Sequence, residues 1–152
     1  MRLVLAAVGR LRPAFREACD DYLARLGRYV DLAEHEVREA ARAPTPAKQQ
    51  STEGLALRAV LPDGGVVVVL DREGQTWTSE SLAARMDGWR LAARPVSFVI
   101  GGSIGLDPAL VAAADARWSL GALTLPHELA RVVVVEQLYR AWTILRGEPY
   151  HK

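Results

Sequence analysis

Val96-Ser97-Phe98-Val99-Ile100-Gly101-Gly102-Ser103-Ile104-Gly105 reads as a buried strand that breaks into a glycine-loosened loop. Its first five residues show no polar alternation, the pattern of a strand covered on both faces. Asp107-Pro108 then supplies an N-cap and a first helical residue, so a short helix follows the loop. Val66 to Leu70 (VVVVL) repeats the pattern, and it ends in the polar stretch Asp71-Arg72-Glu73-Gly74, expected to be a loop at the strand's carboxyl end.

Other segments fall in around these two. Arg2 to Gly9 is a third apolar run bounded by glycine, and Pro13 opens a helix. In that helix Phe15, Ala18, Cys19, Tyr22, Leu23 and Leu26 make one apolar stripe. Tyr29 to Val37 reads as a strand, with His35 expected to be exposed on it and without a role. Ala40 to Lys48 reads as a loop, Gln49 to Leu61 as a helix, and Pro62-Asp63-Gly64-Gly65 as a turn. A helix starting at Ser79 or Ser81 carries Leu82, Met86, Trp89 and Arg90, and Pro95 stops it. A further extended stretch leads to Ser119, and a long helix begins at His127. Strands alternating with helices imply an α/β fold, a mostly parallel sheet with helices on both faces. Ligands of such sheets bind at the strands' carboxyl ends.

The chain has 152 residues, the size of one domain, and no repeat divides it. Residues 1–152 are read as a single domain. Half of the residues are apolar, but no run approaches the ~18 needed to span a bilayer. Met1-Arg2 leads straight into a strand, so no signal peptide is expected. Cys19 is the only cysteine; it reads as a small buried hydrophobe and fits a reducing compartment, hence a cytoplasmic protein. No metal site is assigned. The net charge of +1 makes no global case for nucleic acid. All basic residues except Lys48 and Lys152 are arginines, whose planar fork suits phosphate, although codon bias yields the same composition.

The loop after Ile100 is not a dinucleotide fingerprint, which would need glycine at Ser103 and Leu106, and no Gly-Lys-Ser/Thr makes it a P-loop. It does match the G-x-S-x-G elbow with Ser103 as nucleophile. An elbow serine runs directly into its helix, however, and here the helix starts past Asp107. The backbone reading is better: three glycines let the main chain pass close to a flat ligand or to another loop. Ser119 to Leu125 alternates small and aliphatic residues without charge. It suits the cover of an apolar planar group, or equally a buried core loop. His127 is either a proton acceptor or a capping-region residue. Leu129, Val132, Val133, Val135, Leu138, Tyr139, Trp142 and Leu145 nearly encircle the long helix, which suggests a subunit interface. In Pro149-Tyr150-His151-Lys152 Tyr150 can stack on a base, His151 can shuttle a proton and Lys152 can meet a phosphate.

With these residues the chain resembles the bacterial family that methylates N3 of a pseudouridine in 23S ribosomal RNA, within the SPOUT class. The resemblance spans essentially the whole chain. It rests on Leu3 to Gly9, Leu70-Asp71, Phe98 to Gly102 with Gly105-Leu106, Ser119-Leu120, Thr124 to His127, Arg131-Val132, Glu136 to Ala141, and Pro149-Tyr150-His151. It implies S-adenosylmethionine as methyl donor, a C-terminal trefoil knot, and a homodimer with active sites near the interface. The substrate it implies is the assembled 70S ribosome. Cofactor positions carry over to Leu70, Gly101 and the run Leu120, Gly121, Ala122, Leu123, Thr124 and Leu125. The expected base is His151, with His127 next. Arg131, Arg140 and Lys152 are expected to hold phosphate or the imide anion, beside Tyr150. A non-catalytic ribosome-binding factor and a serine hydrolase using Ser103 are the alternatives.

Overall fold

The computed structural model describes every residue from Met1 to Lys152. The elements are β1 (Arg2–Val8), α1 (Pro13–Leu26), β2 (Asp31–Val37), α2 (Pro46–Arg58), β3 (Val66–Thr76), α3 (Ser79–Leu91), β4 (Val96–Ile100), α4 (Pro108–Ala113), β5 (Ala116–Ser119) and α5 (His127–Leu145). The strands form one sheet in the order β2-β1-β4-β3-β5. Every pair is parallel, with Leu3 opposite Leu32 and Val96, Val66 opposite Val96, and Val68 opposite Ala116.

Strand residues alternate between two cores, as a period of two requires. Leu3, Leu5, Ala7, Val66, Val68, Val96, Phe98, Ile100 and Trp118 pack under residues of α1, α3 and α5. Val4, Ala6, Val8, Val37, Val69 and Val99 face the other way, onto Leu57 of α2 and Leu110 of α4. The two-sided burial explains why Leu3 to Val8 and Val66 to Leu70 are unbroken apolar runs, and why even Ser97 of β4 is fully buried. Phe98 is fully buried, edge-on to Trp89 and Trp118; truncating such a residue typically costs about 3–5 kcal/mol.

The largest departures from the expected boundaries are in α2 and β3; β2 also starts two residues later than expected, at Asp31. Helix α2 begins at Pro46, because Thr45 accepts the Lys48 amide at 3.1 Å and Pro46 takes the first helical position; it ends at Arg58. The expected loop from Ala40 to Lys48 is shortened accordingly. Strand β3 also continues past Leu70. Both Leu70 and Gln75 lie opposite Trp118, so Asp71 to Gly74 form a wide bulge inside the strand and not a terminal loop. Gly74 lies so close to the chain of β5 that a Cβ would meet the Arg117 carbonyl at 2.6 Å.

Helix α5 packs against both α1 and α3. It buries Val134, Val135, Leu138, Ala141 and Trp142. Leu129 is 38% exposed, and Val132 and Val133 are half-buried, so one apolar face remains incompletely covered. No helix is long and apolar enough to cross a membrane.

Candidate functional site

The carboxyl ends of β3, β4 and β5 open into a cleft of about 450 Å³. Of the residues expected to bind a cofactor, Leu70, Gly101, Leu120, Gly121, Leu123 and Leu125 line it, and Ala122 and Thr124 do not. His127 lines it as the first residue of α5. Asp71 and Arg72 from the β3 bulge, Trp118 and Ser119 from β5, and Gly102 and Leu106 also contribute. Asp71, Arg72, Gly102 and Ser119 lie in the segments that the sequence had pointed at a ligand, without a cofactor role assigned to them; Trp118 had not been singled out. The bulge brings in the first pair, and it depends on pairing with β5.

The glycine loop is tightly built. The Gly105 amide donates to the Gly102 carbonyl at 3.1 Å, and Gly105 has φ +79, a left-handed backbone that favours glycine. At Gly101 a Cβ would lie 2.9 Å from the Gly105 carbonyl carbon and 3.0 Å from the Leu106 amide. Outside contacts hold the loop. Gln50 Nε2 of α2 donates to the Ile104 carbonyl at 2.8 Å, and Ser103 Oγ donates to Glu39 at 3.0 Å. Asp107 caps α4 by accepting the Ala109 amide. Ser103 therefore serves a carboxylate beside it, with no hydrogen bond to a histidine, and the hydrolase arrangement is not formed.

The opposite wall is the loop from Ser119 to Leu125. Ser119 Oγ accepts the Gly121 amide and donates to the Gly121 carbonyl, each at 3.2 Å. Leu123 is 79% exposed at the mouth. On the third side Asp71 is held by Arg117 Nε at 2.7 Å and accepts the Glu73 amide at 3.1 Å.

The other expected site residues lie elsewhere. Arg131 is 1% exposed. Its guanidinium donates to Glu36 and to the carbonyls of Val8 and Gly9. This places it under the ends of β1 and β2, tying strand to helix, and not in the cleft. A second cluster forms where the segment after α5 folds back. Tyr150 donates to Glu136 at 3.0 Å, meets Tyr139 edge-on at 4.7 Å between centroids, and is covered by the Arg140 guanidinium. Burial, then hydrogen bonding to Tyr22 and Glu136, pushes the Tyr150 phenol well above its usual range. Arg140 donates twice to Glu136. His151 faces Arg140 through Nδ1 at 3.4 Å and Glu80 through Nε2 at 2.8 Å. Arginine only donates, so Nδ1 must accept and Nε2 carries the proton toward Glu80. The backbone at the start of α3, then His151, holds the Glu80 carboxyl below its usual range. Lys152 is exposed.

Along α5, His127 and Arg140 are about 20 Å apart at ~1.5 Å per residue. The cleft and the Tyr150–His151 cluster of one chain are therefore separate sites.

A sequence model of the family described as "Predicted SPOUT methyltransferase" matches residues 1–151. The chain is 47% identical over 153 residues to a protein of Anaeromyxobacter sp. (strain Fw109-5) named ribosomal RNA large subunit methyltransferase H, covering all of both chains. A protein of the same name from Polynucleobacter asymbioticus is 43% identical over 153 residues, across 100% of this chain and 99% of that one. Among solved structures, a probable methyltransferase from Bordetella pertussis Tohama I superposes with a TM-score of 0.57 at 17% identity. It covers 92% of this chain and 95% of that one, a likeness of fold.

Proposed function

The chain belongs to the SPOUT methyltransferase family, and from that premise we propose that it methylates large-subunit ribosomal RNA with S-adenosylmethionine as donor. The finer reading is transfer to N3 of a pseudouridine of 23S RNA in the assembled 70S ribosome, by a homodimer with a knotted C-terminal segment. One observation carries the donor assignment. The cleft joins a glycine loop, where a Cβ at Gly101 would strike backbone, to an uncharged loop with apolar side chains. Its volume falls in the ~300–1,000 Å³ range of small-molecule sites. The residues fit a donor with a flat apolar base and a polar edge: Leu120 to Leu125 and Leu70 would cover the base, and backbone groups of both loops would meet its edge. When bound, the donor supplies an electrophilic methyl on a sulfonium. The RNA assignment follows the full-length relatives named for that reaction.

The chain's own residues must hold the RNA base and take its imide proton. Most of the rate would come from positioning and less from the base. His127 stands in the cleft, whereas His151 is carried by the Arg140 end of the helix. A dimer resolves this separation, because the Tyr150–His151 segment of one protomer would then complete the cleft of its partner. The half-covered apolar face of α5 supports such an interface. Lys152 and Arg140 would meet phosphate, and Tyr150 would stack on the base. His151 must release its Nδ1 from Arg140 to act as the base.

The test is transfer of labelled methyl from S-adenosylmethionine to ribosomes carrying the unmethylated pseudouridine, with uridine-containing ribosomes as control. Label only with pseudouridine is expected. Donor binding without label would mean a different RNA target, and loss of both label and donor binding would end the methyltransferase reading in favour of a ribosome-binding factor.

A further inference from the structure

Three of the arginines that make no ion pair gather where β1 and β2 end. Arg10 follows β1, and Arg38 and Arg42 follow β2. All three are exposed, and none belongs to the ion pairs that engage Arg12, Arg16, Arg25, Arg58, Arg90, Arg117, Arg131 and Arg140. In a chain with a net charge of only +1, such a concentration on one rim is a local field.

The loops carrying them are anchored. The Gly9 amide donates to the Val37 carbonyl at 2.8 Å, which joins the ends of β1 and β2. Arg131 holds the Gly9 carbonyl at 2.8 Å from below. The Ala40 amide donates at 2.9 Å to Glu53, a carboxylate on α2 that is 2% exposed, and Ala43 closes a turn onto Ala40. Glu39 accepts Ser103 of the glycine loop. Gly102, which lines the cleft, lies against Val8 at the end of β1. The rim is thus built in register with the cleft. The carboxylates near it are mostly engaged: Glu36 pairs with Arg131 and Glu34 with Arg16. Glu39 and the buried Glu53, which meets only the Ala40 amide and Gln49, offset two of the three positive charges, and a surplus of one remains.

We propose that Arg10, Arg38 and Arg42 form a docking surface for the RNA phosphate backbone, which lays the target nucleotide over the cleft. This rests on the RNA reading above. Guanidinium groups without protein partners bind phosphate by releasing its counterions, so the contact must weaken with salt. A neutral protein partner would show no such dependence.

The experiment compares the wild type with the triple variant Arg10→Gln, Arg38→Gln and Arg42→Gln. Ribosome binding is measured by sedimentation across a salt series, with methyl transfer and calorimetric donor affinity alongside. The variant should lose about 2–3 units of the log–log salt slope, ~0.7–0.9 per phosphate contact. Its KM for ribosomes should rise at least about tenfold, with donor affinity, saturated turnover and Tm unchanged. Neutralising Arg2 and Arg28, exposed at the other end of the sheet, should change nothing. A triple variant with wild-type slope and KM would overturn the surface. A wild type that binds ribosomes with the steep slope but transfers no methyl would overturn the reaction and leave the surface standing.

Discussion

Replacing Gly101 by alanine isolates the demand that the donor cleft makes on backbone space. The added Cβ would sit 2.9 Å from the Gly105 carbonyl carbon, 3.0 Å from the Leu106 amide and 3.1 Å from Leu106 Cγ. Two of these are main-chain atoms of a loop pinned by Gln50 and Ser103, so the neighbours cannot swing aside as a long side chain would. Gly101 does not have positive φ, so the cost is purely steric. Overpacking of this kind costs about 1–3 kcal/mol. At ~1.4 kcal/mol per decade, donor affinity should fall roughly 5- to 150-fold if relief opens the loop. If the strain is borne in the free protein too, Tm should fall by about 2–4 °C per kcal/mol. Calorimetric titration with S-adenosylmethionine and a thermal melt read the two arms. Gly88→Ala is the control: Gly88 is exposed within α3 with nothing within 4 Å of a Cβ, and the change should stabilise by about 0.5–1 kcal/mol. A Gly101→Ala protein with wild-type affinity and melting would refute the claim that this loop is a close-fitted wall.

Other expectations concern the scaffold. Arg131→Met removes the partner of Glu36 and of two strand-end carbonyls; urea unfolding should show a loss of about 2–4 kcal/mol, moderated by the water that Glu36 still meets. The Arg12 backbone amide, then the Arg12 side chain, holds the Glu128 carboxyl below its usual range. A depressed carboxyl adds stability above its unfolded pKa, and loses it as pH falls through the folded one. Glu128→Gln should therefore flatten the acid limb of the stability–pH curve below roughly pH 4.5; a limb of unchanged steepness counts against the pair. Burial pushes the Cys19 thiol up to about 11. A thiol reagent at neutral pH should react with it only at the rate of unfolding, and fast labelling of the native protein would contradict the burial.

The strands were legible where both faces are covered, because nothing polar interrupts Leu3 to Val8 or Val66 to Val69. The start of α2 was hidden in a proline that reads as a loop breaker until Thr45 is seen to cap it. Asp71 to Gly74 have loop composition, and only the pairing of Gln75 with Trp118 keeps them within a strand. That long-range fact has no local signal, and it is why Asp71 and Arg72 were expected in a terminal loop, with no role given to them at the cleft. Arg131 was expected to hold phosphate or the imide anion, but the strand-end carbonyls and the carboxylates of β2, brought together only by the fold, make a polar socket for it. Most of the cleft was visible as glycine and small-residue loops. The arginine rim was not, since nearness of the ends of β1 and β2 depends on strand order.

The bulge in β3 also governs how the sheet meets its own kind. It sits beside β5, an edge strand of only four residues, so little straight backbone is offered there for another chain to zip onto. The opposite edge, β2, carries the exposed Asp31 and the ion-paired Glu34 and Glu36, charged side chains that a strand laid alongside would have to accommodate. Both flanks are poor templates for fibre growth. Open-ended stacking of these sheets, edge on edge, is thereby disfavoured on both sides of the molecule.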